Sequence, residues 1–132
     1  MAGQDLSNYL ENKLIEHVLR HVSYTSPSTV YLALFTANPG EAGDQTNEVS
    51  AGEYARQSIT FGAAADGICL NTLDVTFPVA ASDWGTITHL AILDAATAGN
   101  MLFYGAASGT PIHITSTNIY KVLAGNLSAG LA

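Results

Sequence analysis

The 132-residue sequence predicts a mainly β fold, an antiparallel β-sandwich with one N-terminal α-helix. Apolar residues recur at helical spacing only before Pro27, and from there the pattern runs at period two. About eight or nine short strands then follow at roughly 8–12-residue spacing, the pattern of a sandwich or barrel, with the jelly roll as one member of the class. Strands do not alternate with helices, which removes a parallel doubly wound sheet. A chain of this length makes one domain, 1–132, with the helix over about 7–22 and the sandwich over about 29–131.

The helix rests on Leu6, Leu10, Leu14 and Val18, with Tyr9, Ile15, Leu19 and Val22 widening its apolar face. Ser7 or Asn8 can cap its start, Glu16 and Arg20 form a favourable i,i+4 pair, and Pro27 stops it. Val30–Thr36 is apolar on both faces and reads as a central strand. Residues 37–52 form one long loop carrying Glu41, Asp44 and Glu48. Tyr54–Phe61 alternates as a strand, and Asp66-Gly67 marks a tight turn. Ile68–Leu70 and Val75–Phe77 are short strands, the second closed by Pro78. Thr86–Leu93 places Ile87, His89, Ala91 and Leu93 on one face and Leu90 and Ile92 on the other. Met101–Ala107, Ile112–Ile114, Ile119–Leu123 and Leu127–Ala129 complete the strands.

Charge is scarce: eleven acids and four bases make 11% of the chain, against an average of about 25%. With 48% apolar residues the chain is not disordered. So little charge implies that much of the surface is covered by copies of itself or by partners. The net charge of −7, with Lys13, Arg20, Arg56 and Lys121 scattered, excludes a nucleic-acid partner. No apolar run is long enough to span a membrane and Met1–Leu10 has no signal-peptide pattern, so the expected site of synthesis is a cytosol. Cys69 is alone and reads as a small buried hydrophobe on a strand.

Several residues could carry chemistry or contacts. His17 and His21 stand i,i+4, which on a helix gives the spacing of a zinc pair, but nothing brings His89 or His113 in as a third ligand. The simpler expectation is a histidine pair on an interface. No nucleophile elbow, phosphate loop or calcium-loop spacing occurs, so no catalytic residue, metal or cofactor is expected. Trp84 reads as a lid over one end of the core, with a carbohydrate platform near Trp84 and Tyr104 as the functional alternative. Arg56, scarce and on a strand, should pair with Asp74 or Asp83 or anchor an interface. Leu10, Leu14 and Val18 should line either a seam between chains or the contact that docks the helix onto the sandwich.

Five stretches occur in a suggestive order: Leu6 to Leu14 (LSNYLENKL), Val30 to Thr36 (VYLALFT), Tyr54 to Gln57 (YARQ), Val75 to Pro78 (VTFP) and Trp84 to His89 (WGTITH). Together they resemble a family of small tailed-bacteriophage virion proteins commonly labelled tail fibre proteins, over about Leu6 to Gly105. The resemblance implies a non-enzymatic structural protein of the virion. A short chain without repeats cannot make a long fibre alone. The expectation is therefore a capsid decoration or cement protein on the outer shell, with a tail fibre or tail adaptor, or a carbohydrate-binding module on the virion, as alternatives. The expected partners are its own copies, as a homotrimer, and the major capsid protein or tail proteins.

Overall fold

A strand that is apolar at every position needs cover on both faces and partners on both edges. The computed structural model describes residues 2–109 and 111–131 and supplies both to VYLALF. In chain order the elements are β1 (Ala2–Leu6), α1 (Asn8–Leu19), β2 (Val30–Phe35), β3 (Gln57–Ile59), β4 (Ile68–Leu70), β5 (Val75–Thr76), β6 (Gly85–Ile87), β7 (His89–Leu93), β8 (Met101–Ala106), β9 (Ile112–Ile114), β10 (Lys121–Val122) and β11 (Ser128–Gly130). The fold is mainly β and sandwich-like. One layer is an antiparallel sheet in the order β1-β8-β7-β2-β3. The second layer is three separate ribbons, β11-β4, β10-β5 and β6-β9, rather than one continuous sheet.

Alternation along the sheet sorts its side chains into two cores. Leu32, Leu34, Leu90 and Ile92 point toward the ribbons and pack with Phe77, Trp84, Ile87, Ile114 and Leu127. Ala33, Phe35, Ala91, Leu93, Met101 and Tyr104 fill the opposite face. Part of that face lies under the start of α1 and the loop after β2. The Asn8 N–H donates to the Glu41 carbonyl at 2.9 Å, and a Cβ at Gly43 would sit 3.1 Å from Met101 Cβ.

Three elements differ from the sequence expectation. β1 has no apolar alternation, and it exists because β8 would otherwise leave an edge unpaired; Asp5 lies opposite Tyr104 and Leu6 opposite Phe103. The expected strand 86–93 divides at Thr88. Its first part pairs with β9 and its second with β2 and β8. At the break the Thr88 N–H donates to the Phe35 carbonyl of β2 at 3.0 Å, and its carbonyl accepts from the Ala107 N–H, just past β8, at 2.9 Å. The break resets the alternation, so Ile87 joins Leu90 in the larger core rather than Ala91. The expected strand 54–61 shortens to β3, because residues 54 and 56 are held by side-chain bonds instead of a ladder.

The Asp66-Gly67 turn forms as its residues require. Both have positive φ, 53° and 77°, and Ala65 and Ile68 exchange both backbone bonds. Asn71, 2% exposed, organises the segment before β11. Its Nδ2 donates to the Leu73 and Leu123 carbonyls, and its Oδ1 accepts from the Gly125 and Leu127 N–H groups at 3.0 and 2.9 Å. Replacing Asn71 with Ala should lower the unfolding free energy in urea by at least about 1–3 kcal/mol, the cost of an orphaned buried polar group. A loss below about 0.5 kcal/mol, no more than an ordinary surface substitution, would show that these backbone groups find other partners.

Candidate functional site

β3 stops at Gln57, opposite Leu32. The N–H and carbonyl of Leu34, two residues further along β2, therefore lack a strand partner on that side. Two groups replace it: the Val49 N–H donates to the Leu34 carbonyl at 3.0 Å, and the Leu34 N–H donates to the Tyr54 hydroxyl at 3.1 Å. Tyr54 in turn donates to Glu48 Oε2 at 2.7 Å. Burial, and then the Glu48 charge, hold the Tyr54 phenol far above the ordinary tyrosine range.

Arg56 completes this arrangement. Its Nε and Nη2 grip the two Glu48 oxygens at 2.9 and 2.8 Å. Nη1 donates to the Ala95 and Ala98 carbonyls, both at 2.8 Å, and Nη2 also reaches Gln45 Oε1 at 2.9 Å. One guanidinium thus ties the 37–52 loop to the 94–100 turn. Its hydrogen bonds to Glu48 raise its pKa further. The partner is Glu48 and not the expected Asp74 or Asp83. Asp74 instead lies 3.3 Å from Lys121 and Asp83 lies 2.7 Å from His113, both pairs on the surface. Glu48 is also not the solvated loop acid its neighbours suggest, since its side chain is 14% exposed.

Trp84 is buried. Its Nε1 donates to Glu53 Oε1 at 2.7 Å, and its ring meets Tyr54 edge to face at 5.5 Å. Tyr104 is buried as well. The alternative of a carbohydrate platform is therefore not met by these two rings, both of which are buried. The same Glu53 oxygen accepts from the Ala81 and Ser82 N–H groups and the Ser82 hydroxyl. These donors, the Trp84 indole foremost, lower the Glu53 pKa to about 2.

The helix begins as expected, with Ser7 as its cap. The buried Ser7 Oγ accepts from the Leu10 N–H at 3.2 Å and donates to the Met101 carbonyl, pinning the first turn to β8. The helix ends earlier than expected. His21 lies beyond the last turn with φ 58°, and the Val22 N–H turns back to the Glu16 carbonyl at 3.1 Å. This corrects the histidine pair. His21 is off the helix, while His17 Nδ1 faces the Val22 carbonyl at 3.3 Å and the Tyr24 N–H at 3.4 Å. Among the described residues no three His, Cys, Asp or Glu side chains converge as a metal site would need. Leu10 is buried and Leu14 half-buried, but Val18 is 69% exposed, so the three do not form one contact. Cys69 is half-buried on β4.

A cleft of about 660 Å³ opens between β9 and β10 and holds none of these groups. Ile112, Ile119 and Leu123 line it, with Lys121 as its one charged lining residue. No helix among the described residues is long and apolar enough to cross a membrane. The built features of the molecule are thus a clamp, a capped helix and apolar surface.

The clamp is testable. Arg56→Ala leaves Glu48 largely buried without its cation, and should cost about 3–5 kcal/mol in chemical denaturation. A cost near that of an exposed ion pair, below about 1 kcal/mol, would mean that the loop and turn are held by other contacts.

Glu53 gives a pH prediction. Its folded pKa, about 2, lies below its ordinary value of 4.5. Its stabilisation is therefore complete above the ordinary value and disappears as pH falls toward the folded one. Between those limits, stability followed by Trp84 fluorescence should fall more steeply with acid in the parent than in Glu53→Gln. Parallel curves would remove Glu53 from the acid response.

The sequence model of one family, described as podophage GP4 fiber I protein gp80, matches residues 5–130. No curated protein matches the chain.

Proposed function

We propose a tail-fibre role for this chain, which belongs to the family of the podophage GP4 fiber I protein gp80. Membership makes it a bacteriophage structural protein of the virion. The observation that carries the finer reading is the match itself, which takes in the helix, the central sheet except the start of β1, and the three ribbons. The fibre name favours the tail over the outer capsid shell. The decoration reading rests on a short chain without repeats, and a fibre assembled from several chains meets the same condition. A folded unit of this length has a radius of gyration of only about 14 Å, so these residues supply one node of a fibre and not its length.

The structure suits a passive part better than an enzyme. Arg56, Glu48, Tyr54, Glu53 and Trp84 are all consumed in holding loops in place. Low charge leaves a surface suited to contact with neighbouring tail proteins.

Counting copies per purified virion, by quantitative mass spectrometry against the major capsid protein, tests this location. A tail-fibre component should be far less abundant than the capsid protein, and gold-labelled antibody should mark the tail. Near-equal abundance with label over the shell would overturn the tail reading and restore the decoration one.

A further inference from the structure

The β11-β4 ribbon is tied to the main sheet at one corner. Past β3 the chain runs on through residues 60–62, which pair with the end of β4. There the Thr72 N–H donates to the Thr60 carbonyl and the Gly62 N–H to the Leu70 carbonyl, both at 2.9 Å. β4 pairs in turn with β11. Cα atoms of β11 come within 8 Å of those of β1, the opposite edge strand of the sheet. Seven strands therefore curl round toward a barrel, in the order β1-β8-β7-β2-β3-β4-β11.

Inside the curl lies a cavity of about 170 Å³. Ile92 of β7 and Ala129 of β11 are buried in its lining, whereas Val30, Phe61, Cys69 and Phe103 are half-buried and mark where it opens. No charged, hydroxyl or amide side chain of the described residues lines it. Protein interiors are packed like organic crystals, so the lining of an empty space this size forfeits dispersion contacts. Water is a poor filler, because it needs two to four polar partners and the lining side chains offer only a thiol.

We propose that this cavity is a binding site for a small uncharged aromatic molecule of one ring. Size and lining select that class. An apolar cavity of about 150 Å³ stays dry and takes up benzene. The Phe61 and Phe103 rings offer an aromatic guest edge and offset contacts that an aliphatic one lacks. A hydroxylated or charged guest gives up its hydration and gains no hydrogen bond in return. A peptide segment is disfavoured on the same ground, since its backbone N–H and carbonyl groups would go unpaired. The mouth of a β-barrel is also a recurrent place for small ligands. None of this depends on whether the protein sits on the tail or the shell.

Cys69 reports occupancy, because it lines the cavity and is the chain's one thiol. On the whole chain, benzene should slow alkylation of Cys69 by iodoacetamide severalfold and saturably, with free cysteine in the same buffer unaffected. Phenol at equal concentration should protect far less. Ala129→Leu fills the cavity, and in that variant benzene should no longer slow the reaction. Thermal unfolding gives a reading independent of the thiol: benzene should raise the Tm of the parent and not that of Ala129→Leu. Should Ala129→Leu fail to fold, the contrast between benzene and phenol in the parent decides alone. Unslowed alkylation at saturating benzene, equal protection by the two compounds, or protection that persists in a folded Ala129→Leu would overturn the proposal.

Discussion

The structure depends on a sheet that is apolar on both faces and too short at one edge. β2 and β7 bury side chains in both directions, so a single covering layer cannot satisfy them. The ribbons cover one face, and the helix start and the long loop lie against part of the other. The edge imposes a second demand, because β3 ends before β2 does. The clamp answers that demand: Val49 and Tyr54 take the place of strand residues beside Leu34, Glu48 orients Tyr54, and Arg56 holds Glu48. A segment with no regular structure thereby behaves as part of the sheet.

This explains how scarce charge is used. Four cations serve 132 residues, and one of them is almost wholly buried. Burying a guanidinium is unfavourable unless every donor finds an acceptor. Arg56 meets that condition with two carboxylate oxygens, two turn carbonyls and an amide oxygen. Glu53 solves a smaller problem by gathering the Ala81 and Ser82 N–H groups and the Trp84 indole onto one oxygen. Both Glu48 oxygens and one Glu53 oxygen are thus engaged in holding the fold.

The sequence made some of this legible. Local signals survived: the Ser7 cap, the Asp66-Gly67 turn and the doubly apolar β2 each follow from a few adjacent residues. What it hid was long-range. β1 has no pattern of its own and is called into being by the far edge of β8. Thr88 looks like an ordinary strand residue until Phe35 and Ala107 pull its two backbone groups toward different partners. Arg56 was visible as scarce, but Asp74 and Asp83 were chemically equivalent candidates, and only the path of the 37–52 loop selects Glu48. A signal for it did exist, since Glu48, Tyr54 and Arg56 lie within nine positions in an otherwise weakly charged stretch. The stop of α1 before His21 was harder to see, because Val22 continues the apolar spacing after the backbone has left the helix.

That last miss bears on how the molecule meets others. A helix whose apolar residues extend around more than one face can dock on its own fold and still present a surface. Here Ile15, Val18, Leu19 and Val22 stay exposed while Leu10 is buried, in a chain whose net charge is −7. Low overall charge and high net charge are usually opposed in their effect on solubility. Both occur in this one chain: only fifteen residues are charged, which leaves apolar surface uncovered, yet eleven of them are acids, and that net charge opposes the close approach of copies.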